Sequence, residues 1–301
     1  MRFVTFLEGT DAQLGVLDDG QKIIRVKSVF SNAPEDIIEL IQLGQAGMLS
    51  LREGMDQVLE SDKIPFDDVH LLAPIPRPIR NIMCVGKNYY THAHEFAQSG
   101  FDKSASKTDP DIPVAPIIFT KAPSSVIGTR EQIVKPRKLG QKVDYEAELG
   151  VVIGKGGRNI SKEIAYDHVW GYTIINDMTA RDIQAKHKQW FIGKSLDTFC
   201  PMGPWIATAD EVDPENLDLK CWVNGELRQD AQTKDLIFDI PTLIETLSEG
   251  ITLIPGDIIA TGTPAGVGIG FDPPIFLKEG DRIQISITGL GELENTIVDE
   301  V

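Results

Sequence analysis

The sequence predicts a β-rich α+β fold, with a small N-terminal α+β domain over residues 1–75 and a larger β-rich domain over residues 76–301. Three observations predict it. Short apolar or alternating runs bounded by turn residues recur along most of the chain, and these are strand signals. Helical periodicity is confined to a few segments. Prolines cluster where the two parts would meet: Pro65, Pro74, Pro76 and Pro78. Strands and helices do not alternate regularly, so a doubly wound parallel sheet is not the expectation.

From the N-terminus, RFVTF, QLGVLDDG and KIIRV read as short strands with Asp-Gly turns. Residues 34–61, PEDIIELIQLGQAGMLSLREGMDQVLES, place apolar residues near the 3.6 period and read as helical. Beyond residue 75, NIMCVG, APIIFT, VDYEAELGVVIG, HVWGYTIIND, MGPWIATA, LDLKCWVNG, DIIATGT and DRIQISIT read as strands. Helices are expected over 90–98, 179–189 and 239–249. Residues 99–116, SGFDKSASKTDPDIPVAP, make a long polar connection of the kind used as a lid or binding loop.

The totals narrow the function. The chain has 301 residues, 42% of them hydrophobic, which is enough for a sizeable core. At ~150 residues per domain it holds one or two domains. The formal charge of −16 repels phosphate backbones and argues against nucleic-acid binding. No basic region leads into an apolar one at the start, and no apolar run reaches the ~18 residues of a membrane span. A cytoplasmic setting is expected. Cys84, Cys200 and Cys221 lie far apart without a CxxC, which excludes a zinc ribbon and a disulfide framework.

The stretch VDYEAELGVVIG sets Asp144, Glu146 and Glu148 at strict alternation before an apolar run. On a strand they would share a face and repel one another. Solvent, basic partners or a cation must offset that repulsion. Taken alone, the pattern suits a solvated strand face as well as it suits a metal site. Asp177, closing the apolar run GYTIIND, adds an acid at a second strand end. Oxygen donors of this kind suit Mg²⁺ or Mn²⁺; Ca²⁺ prefers more ligands, and no His or Cys is paired with these acids as Zn²⁺ would favour.

In KNYYTHAHEF, His92 and Glu95 are spaced i, i+3 and would share a helix face. A carboxylate beside an imidazole fixes its tautomer and suits it to be a general base. The plainer reading is a surface His and a surface Glu, and His94 is expected to face solvent. Lys194 is a lone cation in WFIGKSLDTFCPMGPW, where it either snorkels to water or meets an anion. Arg181 and Gln184, also i, i+3, follow Asp177 and could hold a substrate carboxylate; the alternative for Arg181 is a salt bridge to a nearby acid. The run PGDIIATGTPAGVGIG, which includes Thr263, lacks the GK[ST] of a P-loop, though its backbone could approach a small anion closely. Neither a GxSxG elbow nor an HExxH motif is present.

Five blocks in this order, CVGKNYYTHAHEF, DYEAELGVVIG, GYTIINDMTARDIQ, GKSLDTFCPMGPW and IIATGTPAGVG, resemble the fumarylacetoacetate hydrolase family. The match covers about three quarters of the chain, from about residue 75 onward; the N-terminal part resembles the small cap of bacterial members more loosely. The resemblance implies a rolled β-sheet catalytic domain, a homodimer, and Mg²⁺ or Mn²⁺ held by Glu146, Glu148 and Asp177, with Asp144 outside the ligand set. It implies a catalytic dyad of His92 and Glu95 on a lid helix, and a substrate pocket lined by Arg181, Gln184, Lys194 and Thr263.

The implied substrate is a 2-oxo acid whose enolate is stabilised by the cation and Lys194. Cleavage of a C–C bond then follows, as oxaloacetate decarboxylation or acylpyruvate hydrolysis. Alternatives are hydrolysis of a diketo sugar acid, isomerisation or tautomerisation of a 2-oxo diacid, and a scaffold role that keeps only the fold. The segment after Glu95 is longer here than in cap-less acylpyruvate hydrolases and would shape the lid and distal pocket.

Overall fold

The computed structural model describes residues 1–19, 21–30, 32–101 and 112–301. Most of the 99–116 connection therefore lies outside the described residues. The chain opens with an antiparallel meander of β1 (Arg2–Glu8), β2 (Asp11–Leu17) and β3 (Lys22–Arg25). The expected helical stretch is two helices, α1 (Ile37–Gln42) and α2 (Gly44–Met55). The Asp36 carboxylate caps α1, accepting from the N–H groups of Ile38 and Glu39, each at 2.9 Å. The helices part at Gly44, whose φ of +61° suits a residue without Cβ. β4 (Ile64–Pro65) forms a sheet edge, where proline's missing N–H breaks no ladder. β5 (His70–Leu72) pairs with β1.

Next come β6 (Ile82–Gly86), α3 (Tyr90–Gln98), β7 (Ile117–Lys121), β8 (Val126–Ile127) and β9 (Gln132–Lys135). The expected strand over 143–153 is interrupted. It divides into β10 (Val143–Asp144) and β11 (Ala147–Ile153), because the Glu146 N–H donates to the Asn176 side chain, at 3.0 Å, rather than to a neighbouring strand carbonyl. β12 (Val169–Asn176) is followed by β13 (Thr179–Ala180), which pairs with β10. The helix expected from 179 therefore begins two residues later, as α4 (Arg181–His187). α5 (Phe191–Lys194) and β14 (Cys200–Thr208) follow.

β15 (Asp218–Val223) and β16 (Glu226–Gln232) form a hairpin. α6 (Ile240–Gly250) is capped by Asp239, which accepts from Thr242 N at 2.9 Å, and buries Ile240, Leu243, Ile244 and Leu247 along one stripe. β17 (Ile258–Ala260), β18 (Arg282–Ile287) and β19 (Gly291–Asp299) complete the chain. β9, β16 and β19 go beyond the strands read from sequence. Polar residues such as those of ELRQDAQ fill much of β16 and hide its pattern.

The main sheet runs β4-β3-β2-β1-β14-β12-β11-β17-β6-β7, and a second runs β16-β15-β18-β19-β9. β11 is buried at every residue, which explains the apolar run that follows Glu148: a central strand covered on both faces has no solvent side to mark with alternating polar residues. β15 and β18 alternate buried and more exposed positions because one face meets water. The N-terminal segment continues the main sheet, with Arg2 opposite Ala207 and Phe3 opposite Ile206 across β1 and β14. Phe3, Ile24, Ile37 and Leu40 share one apolar cluster with Ile82, Val152, Ile206 and Ile258. Among the described residues no helix is long and apolar enough to cross a membrane.

Candidate active site

The acids meet where β11 begins and β12 ends. Ala147 lies opposite Asn176, so Glu146, Glu148 and Asp177 come from adjacent strand ends. Asp177 N donates to Glu146 O at 2.8 Å and locks the corner. One carboxylate oxygen from each of the three acids lies within 4.8 Å of the others, and all three side chains are buried. Asp144, also buried, stands apart. Its oxygens accept from Gly268 N at 2.6 Å and Arg181 Nε at 2.9 Å.

Buried cations surround the group. Lys194 Nζ lies 2.7 Å from both Glu146 Oε2 and Asp177 Oδ2. Arg181 Nη1 is 2.7 Å from Glu146 Oε1. Lys121 Nζ is 2.7 Å from Asp177 Oδ1 and also donates to the carbonyls of Met178 and Lys194. That oxygen of Asp177 is thus ion-paired, although no aligned hydrogen bond reaches it.

Burial raises the Glu146 carboxyl, but Lys194, Arg181 and His92 outweigh burial and hold it at about 2. Glu148 moves the other way. Burial, then the charges of Asp177 and Glu146, push it well above the usual carboxylate range. Its hydrogen bond is from Gly262 N at 2.9 Å, and among the described residues no cation pairs with it. Burial alone would lower Lys194, but Asp177 and Glu146 overcome it and keep the ammonium charged.

The donor set fits a hard divalent cation: three converging carboxylates, no sulfur, and one acid whose ionisation is opposed by its neighbours. Glu146, Glu148 and Asp177 would hold it, with Asp144 tied instead to Arg181 and the loop.

The glycine-rich loop does approach anions closely, and they are the chain's own carboxylates. Gly262 N holds Glu148, Gly266 N holds Glu95 Oε1 at 3.0 Å, and the N–H groups of Gly268 and Ile269 hold Asp144. Gly262 and Gly266 sit at φ +107° and +103°, conformations that L side chains rarely adopt. At Gly270 the need is steric: a Cβ there would overlap Glu95 Oε1.

His92 is buried on α3 and its Nδ1 lies 3.0 Å from Glu95 Oε2, so the two expected partners are in hydrogen-bond contact. The adjacent His94 is exposed. His92, Glu146, Arg181, Gln184, Lys194 and Thr263 line one small pocket, whose free space of about 10 Å³ holds about one water. Arg181 Nη1 donates to Gln184 at 3.3 Å, while its buried Nη2 has no partner among the described residues. A larger cavity, about 680 Å³, lies elsewhere, between α2 and the Trp170–Thr208 surface; it gathers no such cluster of acids and buried cations.

Two residues that secure the site escape a reading of the sequence. Lys121 carries the same signal as Lys194, a lone lysine ending an apolar run, and that signal could have found it. Gln229 donates to Thr263 Oγ1 at 2.8 Å and accepts from Ala147 N at 3.1 Å. It sits in a polar strand and gives no signal.

Comparison with known proteins bears on this geometry. Residues 81–298 match the domain described as fumarylacetoacetate (FAA) hydrolase C-terminal. The chain is 47% identical to oxaloacetate tautomerase YisK of Bacillus subtilis (strain 168), across 94% of this chain and 95% of that one. It is 39% identical to the mitochondrial oxaloacetate tautomerase FAHD2A of Homo sapiens, across 93% and 85%. Among solved structures, maleylpyruvate hydrolase from Sphingobium sp. SYK-6, in complex with manganese (II) ion and pyruvate, is 35% identical with a TM-score of 0.80, covering all of both chains. A 2-hydroxyhepta-2,4-diene-1,7-dioate isomerase from Mycobacterium marinum is 32% identical with a TM-score of 0.74, across 100% and 99%. With a domain match over most of its length and relatives at this identity, the chain belongs to the fumarylacetoacetate hydrolase family.

Proposed function

We propose that this chain is a divalent-metal-dependent enzyme that interconverts the enol and keto forms of a short 2-oxo diacid such as oxaloacetate. The observation that carries the reading is that His92, paired with Glu95, and Glu146 of the three-acid cluster line one small pocket together with Arg181 and Lys194. The tautomerase relatives supply the reaction class.

Mg²⁺ or Mn²⁺ held by Glu146, Glu148 and Asp177 would supply Lewis acidity toward the substrate's carboxylate and keto oxygens. The chain's residues do the rest. Arg181 Nη2 offers a buried donor for the carboxylate beside the keto group. Lys194 places a fixed positive charge where negative charge develops on the keto oxygen. In the keto-to-enol direction His92 takes the proton from the carbon next to that group and the enolate oxygen takes up a proton, and the reverse transfers restore the keto form with no net proton change; Glu95 holds the imidazole in the tautomer for the task. Asp144 holds Arg181 in place, and Lys121 holds Asp177.

A second reading shares the same enolate. C–C cleavage by decarboxylation or by hydrolysis of an acylpyruvate is supported by the maleylpyruvate hydrolase neighbour. One experiment separates the readings. Chelator-stripped chain is given Mn²⁺ or buffer, then freshly dissolved oxaloacetate, and enol absorbance and pyruvate are followed together. Mn²⁺-dependent loss of enol without matching pyruvate supports tautomerisation. Pyruvate formed at the same rate moves the assignment to cleavage. Neither process, from folded protein with Mn²⁺ bound, removes the enzymatic reading and leaves a binding role.

A further inference from the structure

We propose that Gln229, a side chain of the second sheet, fixes the spacing of Glu146 and Glu148 and so raises the affinity of the site for its cation; this rests on the metal reading above. Gln229 is a positioning residue, acting through the main chain between the two acids. Ala147 is the residue between them. On one side it lies opposite Asn176 of β12. On the other, the pairing with β17 ends at Gly150, and Thr261 N adds one more bond to Leu149 O at 3.0 Å.

Where that ladder ends, side chains take over. Ala147 N donates to Gln229 Oε1 at 3.1 Å, and Ala147 O accepts from Thr263 Oγ1 at 2.9 Å. Gln229 Nε2 closes the ring by donating to Thr263 Oγ1 at 2.8 Å, and it also donates to Pro264 O at 2.8 Å. Each partner fixes the next. Pro264 O only accepts and Ala147 N–H only donates, so the amide has one orientation. Its donation to Thr263 directs the hydroxyl hydrogen toward Ala147 O. The main chain at Ala147 is thus held through both its N–H and its C=O, and the acids on either side leave from a fixed backbone.

The local structure of β16 delivers this amide. β16 ends the second sheet, and Gln229 is its buried residue among neighbours that are exposed or half-buried. The register slips beside it: Cys221 lies opposite Gln229 and Trp222 opposite Leu227, which leaves Arg228 as an extra residue. A bulge of this kind bends the strand and re-aims a side chain. The Arg228 backbone then lies so close to the glycine-rich loop that a Cβ on Gly266 would overlap Arg228 O. Burying an amide is costly unless its hydrogen bonds are made, and here the oxygen and the nitrogen both find partners at the metal corner.

The test is calorimetric Mn²⁺ binding to metal-free full chains: wild type, Gln229→Met, Thr263→Val, Thr263→Ser and the double variant of Gln229→Met with Thr263→Val. Near-ultraviolet dichroism checks that each is folded. Gln229→Met keeps the side-chain length but makes none of these bonds, and Mn²⁺ affinity should fall about tenfold. Thr263→Val should lose a similar factor, whereas Thr263→Ser, which keeps the hydroxyl, should stay close to wild type. Because one ring joins the two residues, the double variant should bind as weakly as the worse single variant, short of the product of the two losses. A merely structural glutamine would lower the thermal midpoint and leave Mn²⁺ affinity unchanged.

Wild-type affinity in folded Gln229→Met, or losses that multiply in the double variant, would overturn the proposal. If Gln229→Met does not fold, the two Thr263 variants decide: a loss confined to valine supports the ring, and equal affinities reject it. A wild-type chain without Mn²⁺ affinity would remove the metal reading itself and this role with it, an outcome distinct from variants that bind as wild type does.

Discussion

Glu148 is held differently from its two neighbours. Glu146 and Asp177 each touch a cation at 2.7 Å, whereas Glu148 has the Gly262 N–H and the repulsion of the other two acids. Glu148→Gln should weaken Mn²⁺ binding by about 100-fold or more, judged by what weaker, outer-shell changes cost. The same change removes an acid that burial and its charged neighbours force to stay protonated, so the thermal midpoint of the metal-free chain should stay level or rise. Calorimetry and a melting curve check both halves.

The pH dependence has a defined sign. Because the folded-state pKa of Glu148 is raised above its ordinary 4.5, the metal-free folded chain keeps a proton that the unfolded chain has lost. Glu148 therefore subtracts stability as pH rises above 4.5. Glu146, lowered to about 2, adds stability above 4.5 and loses it as pH falls toward 2. Binding of Mn²⁺ must displace the Glu148 proton, so affinity should rise with pH and a proton should be released on titration. For His92, exchange to Asn should lower kcat about 10²–10⁴-fold with Mn²⁺ affinity retained; unchanged kcat would remove it from the chemistry.

At the scale of elements, the dyad depends on two segments far apart in sequence. α3 brings His92 and Glu95 to one face, and the loop after β17 holds Glu95 through Gly266 N. The two pack through a small separate cluster of Phe96, Val267 and Ile269. Gly270→Ala places a methyl where Glu95 Oε1 lies and should push the carboxylate off His92. The expected outcome is a kcat lowered about tenfold or more, a changed pH–rate profile, and unaltered Mn²⁺ affinity, since the acids of β11 and β12 are untouched. A variant with wild-type kcat and pH profile would show that Glu95 does not depend on this fit.

At the scale of the molecule, residues 1–75 are joined to the rest by the β1–β14 ladder and by apolar packing across it. Removing them would uncover the edge of β14 and side chains such as Ile206 and Ile258. Each large apolar side chain uncovered costs roughly 1.5–3 kcal/mol, and a handful of them matches the ~5–15 kcal/mol that holds a typical domain folded. A chain starting at residue 76 should be insoluble or molten, seen as lost near-ultraviolet dichroism. A soluble fragment with native dichroism and Mn²⁺ binding would show the catalytic part to be self-sufficient.

The sequence by itself determined the β-rich class, the helix at residues 90–98, and the carboxylates of an acidic cluster suited to a hard cation, because these rest on local periodicity and on the chemistry of single side chains. Alternation could mark Asp144, Glu146 and Glu148 as a set, but it could not separate Asp144 from the other two. Only the tertiary structure decided that, through the interruption between β10 and β11 and through Arg181, which arrives from α4. It also decided that the glycine loop serves the chain's own carboxylates and that Lys121 braces Asp177. Each of these joins residues that no local pattern links, since a carboxylate in a dry interior takes its partners from whichever strands and loops the fold sets beside it.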